Sequence, residues 1–334
     1  MMLGAVLLVL LAGVMNGSWA TPMKRVRGWQ WEHIWLAWAF LGMLVIPLVV
    51  AAATVPSLPA VYRMAGPEPL VRTALYGMFW GAGAVLFGLG ITRVGLALGF
   101  GIILGVGSSL GAVVPFVKFH RDRLFTTTGL LTFVGVTIIL AGVSACARAG
   151  LLREAANPQK RGEGSFVVGL IICVLSGLGT TFMSLALNEA VPIFASAETL
   201  GMPSTRSLNA VWPVLLGGGL VVNAAYCLFL IIRRRSVAHF REATVTNVTL
   251  AAVMAVLWSG SNFVYGAGAR GMGTLGLVLG WPVFMAAIVL TANAWGVLTG
   301  EWRGATTRTI TWAGSGCLLL VAGVVLIAGA GRTS

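Results

Sequence analysis

The chain has 334 residues, 58% of them hydrophobic and only 9% charged, with a mean hydropathy of +0.93. That leaves too little polar sequence to cover a soluble core, so the composition excludes a soluble globular domain and reads as an integral membrane protein. The formal net charge of +13 sits between the apolar runs, which makes it a statement of membrane topology and not a nucleic-acid footprint.

Crossing the hydrocarbon core as helix takes about 20 apolar residues, and backbone facing lipid must satisfy itself internally. Ten such runs follow one another, at roughly 2–21, 34–54, 71–92, 95–117, 127–147, 166–187, 209–232, 246–268, 272–297 and 309–330. The alternating segments of about ten residues that mark a membrane β-barrel are absent. In the first run, Ser18-Trp19-Ala20 loosely resembles a signal-peptide cleavage site. The segment has no basic n-region, however, and its loss would leave an odd number of helices, so it is expected to be retained as the first span. Loops one, three, five, seven and nine, with their flanks, carry fourteen Lys and Arg, among them Lys24, Arg25, Arg27, Arg93 and Arg233 to Arg235. The even loops carry seven: Arg63, Arg72, Lys118, Arg121, Arg123, Arg206 and Arg270. The odd loops are therefore expected in the cytoplasm and both termini in the periplasm.

Residues 79–95, FWGAGAVLFGLGITRVG, return 178 positions later at 257–273 as LWSGSNFVYGAGARGMG. Trp80, Gly88, Gly90 and Gly95 fall on Trp258, Gly266, Gly268 and Gly273. Two related membrane halves are expected, residues 1–150 and 166–334, joined by a cytoplasmic linker at 151–165. Many secondary transporters are built this way.

A sugar has an apolar face and a rim of hydroxyls, so a site for one needs aromatic platforms beside amides or carboxylates. Trp258, Asn262 and Tyr265 have spacings of four and three, which places them on one helical face, and an amide at mid-membrane is costly unless it meets a partner or a wet cavity. Asn16 and Trp19 are likewise three apart, Trp80 is the repeat mate of Trp258, and Trp281 precedes Pro282 in the ninth span. These seven, Asn16, Trp19, Trp80, Trp258, Asn262, Tyr265 and Trp281, are the expected substrate-binding residues. The competing readings are packing asparagines such as Asn223 and interfacial anchors, the latter assigned to Trp29, Trp31, Trp35, Trp302 and Trp312. All nine acids and three histidines fall outside or at the ends of the predicted spans. Glu189 is nearest an apolar segment; it is the candidate for proton coupling, with an outer-end surface charge as the alternative, while Glu32 and Glu301 are expected to pair with Lys or Arg at the surface. Cys146, Cys173, Cys227 and Cys317 lie in four different spans without metal or redox spacing and read as packing residues. Walker and HExxH motifs are absent and no acid pair lies within a span, so neither an enzyme nor a cofactor or metal is expected.

The residues resemble the L-rhamnose-proton symporters of the drug/metabolite transporter superfamily. The resemblance rests on PMKRVRGWQWE at 22–32, FWGAGAVLFGLGITRVGLALGFGI at 79–102, LNEA at 187–190, GGGLVVN at 217–223 and GEWRG at 300–304. It implies an all-α membrane protein of ten helices, arranged as two inverted five-helix repeats around a central site in the bacterial inner membrane. It also implies import of a small neutral sugar, L-rhamnose or a similar deoxyhexose, with protons as the second partner; it leaves oligomeric state open. The sequence departs from the family in the ninth span, where an acidic residue and a histidine flank the position of Trp281 and this chain has Leu277 and Phe284. In LNEA, Glu189 replaces a small residue. Three rivals remain at this level: an exporter or exchanger of the same superfamily, a sensor or assembly protein with no polar cavity, and a membrane enzyme with a carboxylate or histidine deep in its core.

Overall fold

The computed structural model describes residues 2–94, 96–155, 166–298, 300 and 304–330. Most of the expected linker, together with Glu163, Glu301 and Trp302, lies outside the described residues. Within them are ten helices long and apolar enough to cross a membrane, and no strand. They are α1 (Met2–Ser18), α2 (Trp31–Thr54), α3 (Pro67–Val94), α4 (Leu96–Phe119), α5 (Thr127–Ala155), α6 (Phe166–Glu189), α7 (Trp212–Arg233), α8 (Thr244–Gly271), α9 (Gly276–Leu298) and α10 (Thr307–Ala330). Each expected span has its helix, with ends moved by a few residues. Two short helices, Leu58–Ala65 and Val191–Thr199, were not foreseen. They pack on each other at the face of the even-numbered loops. There the Tyr62 hydroxyl donates to the Ala210 carbonyl at 3.0 Å, and burial pushes its phenol pKa up to about 12.

Local sequence explains the irregular turns. In α2 the stretch Leu41–Val45 widens to a π turn just ahead of Pro47, which relieves the clash of the proline ring with the carbonyl four residues back. Pro115 in α4 orphans the Gly111 carbonyl in the same way, and Ser184 of α6 supplies the missing donor at 2.6 Å.

Helix partners follow a regular pattern. α1 packs on α8 and α9, α6 on α3 and α4, α2 on α7, α4 on α9, and α5 on α10. Exchanging each helix for the one five places along leaves this pattern unchanged. The repeated motifs behave alike at residue level: Gly90 meets Cys173 of α6 where Gly268 meets Val9 of α1, and Gly88 meets Trp31, the first residue of α2, where Gly266 meets Trp212, the first of α7. Lipid gives apolar helices no hydrophobic reason to associate, so close backbone approach over small residues supplies the attraction. At α3–α6 it is extreme, since a Cβ on Gly179 would stand 2.4 Å from the Cα of Gly83.

The two backbones touch there. Gly179→Ala is therefore expected to force α3 and α6 apart at roughly 1–3 kcal/mol, read as a fall of the melting temperature in detergent. Gly217→Ala, with nothing within 4 Å of its Cβ, is expected to leave that temperature unchanged or slightly raised.

Candidate functional site

A cavity of about 210 Å³ lies among α1, α2, α3, α4, α6, α8 and α9. Its wall includes Asn16, Trp19, Trp35, Trp38, Trp80, Phe87, Ser176, Thr180, Met183, Trp258, Asn262, Trp281, Phe284 and Met285. Six of the seven residues expected from sequence are on it. Tyr265 stands one layer behind: its ring meets Trp281 edge-on at 5.9 Å and 82°, and its hydroxyl donates to the Leu277 carbonyl at 3.1 Å.

The aromatic wall is one connected stack. The repeat mates Trp80 and Trp258 face each other at 5.6 Å and 20°, Trp38 meets Trp258 edge-on at 5.1 Å, and Trp19 lies on Trp38 at 4.5 Å and 25°. Small residues hold the rings in place. Gly42 faces Trp258, Gly219 leaves room for Trp80, and Gly111 lies under Trp281, whose indole nitrogen would be 2.2 Å from a Cβ there. That indole donates to the Gly107 carbonyl at 3.1 Å, which fixes the ring.

The polar groups on the wall are partly spent on protein. Ser261 donates to the Trp258 carbonyl at 2.6 Å, so its hydroxyl oxygen can only accept from Asn16 Nδ2, at 2.9 Å. Asn262 Nδ2 likewise donates to the Trp258 carbonyl, at 3.1 Å. Each amide nitrogen spends one of its two hydrogens on protein, which leaves the Oδ1 atoms of Asn16 and Asn262 as acceptors and the second N–H of each as a donor for a guest. Thr180 and Ser176 point their hydroxyl hydrogens at backbone carbonyls, of Ser176 and Gly83 respectively, and so also keep oxygen lone pairs. Among the described residues, the wall carries no ionisable side chain.

Several expectations need correction. Trp35 and Trp29 are not interfacial anchors. Both are buried: Trp35 donates to Asn223 Oδ1 at 2.9 Å and lines the cavity, and Trp29 packs edge-on against Phe240. Trp312, 40% exposed, does have an anchor's exposure. Asn223 is a packing hub away from the cavity, with Nδ2 donating to the carbonyls of Gly81 and Gly219 at 3.3 and 2.8 Å. Glu32 pairs with Arg234 as expected, both oxygens 3.1 Å from Nη1, but it is fully buried, as is His33. Trp38 and the hydroxyls of α6 escaped sequence reasoning. A longer first turn of α2 would have aligned Trp31, Trp35 and Trp38 on one helical face.

Glu189 ends α6 at the even-loop face, 14% exposed, paired with Lys118 and, at 3.8 Å, with Arg72. It is not on the cavity wall. Glu198 and Arg270 pair at 2.6 Å on the same face. Of the two ninth-span positions where the chain departs from the family it resembles, Phe284 is on the wall and Leu277 is not.

The sequence model of the L-rhamnose-proton symport protein family matches residues 1–334. The chain belongs to this family. It is 28% identical over 321 residues to the L-rhamnose-proton symporter of Salmonella gallinarum, covering 94% of this chain and 93% of the relative. It is 27% identical over 308 residues to that of Shigella dysenteriae and 28% to those of Escherichia coli strains, each over 90% of both chains. The family is one of transporters, not enzymes, and multi-pass membrane embedding agrees with the ten helices.

Gly111→Ala tests the cavity wall. A methyl at 111 must push the Trp281 ring out of place, with a roughly tenfold or greater rise in the substrate concentration needed for half-maximal uptake and little change in folded yield. An unchanged value would mean that Trp281 does not shape the site.

Proposed function

We propose that the chain imports a small neutral sugar, L-rhamnose or a similar 6-deoxyhexose, across the bacterial inner membrane together with protons. The observation that carries this reading is the central cavity, walled by tryptophans and offering hydrogen-bond acceptors without any charge. Its 210 Å³ exceeds the roughly 150 Å³ that takes a benzene-sized guest, which suits one sugar ring. The stacked rings of Trp80 and Trp258 fit the C–H face of a pyranose, the oxygens of Asn16 and Asn262 fit its hydroxyl donors, and Phe284 with Met285 offers an apolar seat for the methyl of a deoxy sugar. Tyr265 acts behind Trp281 by orienting it. The relatives are named L-rhamnose-proton symporters, which supports both the sugar and the proton.

The halves 1–150 and 166–334 are proposed to be inverted repeats, a reading supported by the packing pattern that survives exchange of each helix with the one five places along. The odd loops are proposed to face the cytoplasm and both termini the periplasm, in keeping with the fourteen-to-seven charge asymmetry. A reporter joined after Ser334 should then be active in the periplasm and silent in the cytoplasm; the reverse result overturns the orientation.

The function itself is tested by a panel of radiolabelled sugars in proteoliposomes, with and without an imposed pH gradient. L-rhamnose or another 6-deoxyhexose is expected to accumulate only when the gradient is present, and Asn262→Leu should weaken its uptake by roughly tenfold or more. Absence of saturable sugar uptake would reject the reading.

A further inference from the structure

Symport needs a group that takes and releases a proton as the molecule changes state, and the cavity wall holds none. The group must be sought elsewhere, among side chains that are titratable, sequestered, and placed where the two halves meet. Among the described residues, one carboxylate and one imidazole are fully buried, and they are neighbours in sequence: Glu32 and His33, in the first turn of α2 at the odd-loop face.

Their surroundings come from both halves. His33 Nε2 lies 2.8 Å from the Ser236 carbonyl, beyond α7. A carbonyl only accepts, so Nε2 carries a hydrogen, and in the neutral ring the lone pair is then on Nδ1. That Nδ1 is buried and has no hydrogen-bond partner. The charged and titratable groups of the cluster are Glu32 and Arg234, paired with each other, Cys227 of α7 on the Glu32 side, and His239 with Glu242 from the segment leading into α8. The His239 ring is 5.7 Å away and bonds Glu242 at 2.8 Å. Arg235 and Arg241 are exposed. Loop one enters through the ring of Trp29, and its Arg27 backbone exchanges two hydrogen bonds with Asn247 of α8. The cluster thus joins α2 of one half to α7 and α8 of the other, one turn of α2 from Trp35 on the cavity wall.

We propose that Glu32 and His33 form the proton-handling site of this transporter, a reading that rests on proton-coupled sugar transport. The neutral ring takes a proton at Nδ1 from a hydronium ion, so that one N–H bond forms as one O–H bond of the donor breaks and water is left behind. The carboxylates of the cluster are Glu32, held by Arg234, and Glu242, bonded to His239. A second cation inside this closed cluster is costly to keep from water, so protonation favours opening of the odd-loop face, and the proton leaves to the water that enters. Imidazole suits the task because its ordinary titration falls between about pH 5 and 8. Glu189, expected from sequence for this role, sits at the opposite face with its charge already matched by Lys118 and Arg72.

The test compares pH-gradient-driven accumulation with sugar-for-sugar exchange, which needs no net proton movement, in proteoliposomes. His33→Gln is expected to lose accumulation by roughly tenfold or more and to keep exchange, while Glu189→Gln and the control His120→Gln, half-buried at the opposite face, keep both. Accumulation by His33→Gln equal to that of the parent overturns the proposal, as does its loss in Glu189→Gln alone. The chain has only three histidines, so carbon-13 labelling of histidine in the parent gives three resonances, assigned with the His33 and His120 variants. That of His33 is expected to report protonation of the ring as the pH is lowered, and to be displaced by saturating sugar, and this measurement decides the matter if His33→Gln does not fold. A parent that takes up no sugar speaks against the transport reading and leaves the resonance to judge this one: a His33 ring that stays neutral as the pH is lowered, while the protein remains folded, overturns it.

Discussion

Water is absent from the middle of a bilayer, so every polar group placed there has to find its partner in protein, and one amide organises much of this molecule under that constraint. Asn223 of α7 is fully buried. It accepts from the indole of Trp35 on α2 and donates to the Gly81 carbonyl on α3 as well as to its own helix. Three helices from both halves therefore meet at a single side chain, and leaving any of these groups unpaired in a low-dielectric interior would cost about 1–3 kcal/mol. Two walls of the cavity follow from it. Trp35 is fixed directly, and Trp80 is seated on Gly219, one turn before Asn223.

The same constraint gives the cavity its chemical character. Amides and hydroxyls can enter the membrane only by spending their hydrogens on backbone carbonyls or on one another, as Asn262, Thr180 and Ser176 do and as Asn16 does through Ser261. Acceptor oxygens and the second N–H of each amide remain, and a guest rich in hydroxyls, which both donate and accept, satisfies them. Charges are kept to the two ends, where water can reach at least one partner of each pair: Arg234 is half exposed although Glu32 is buried, and Lys118 and Arg72 are half exposed beside Glu189. The proposed division of labour, sugar at the centre and proton at one end, is one way to couple them without a charge in the cavity.

Much of the fold was legible in the sequence because it depends on sums over long windows. Ten apolar runs give ten helices almost regardless of their neighbours, since helix is the backbone's only way to satisfy itself in lipid. The charge asymmetry and the repeat are also properties of the chain alone. Six cavity residues were legible for a related reason: a polar amide or a tryptophan inside an apolar run costs too much to be idle, so residue type and helical spacing already single out Asn16, Trp19, Trp80, Trp258, Asn262 and Trp281.

What the sequence could not decide was which neighbour each residue would meet. Trp35 and Trp38 carry the same signal as an interfacial anchor, and only the seating of α2 against α7 and α8 separates wall from surface. Tyr265 shares a helical face with Trp258 and Asn262, yet the approach of α9 interposes Trp281 and turns it into a support. Glu32 and His33 read as residues before a helix; burial came from loops one and seven folding over them, contacts between segments about 200 residues apart. Composition and periodicity are local and fix what each segment must be in lipid. Partnership is long-range, set by the fit of small residues between particular helices, and only the tertiary structure determines it.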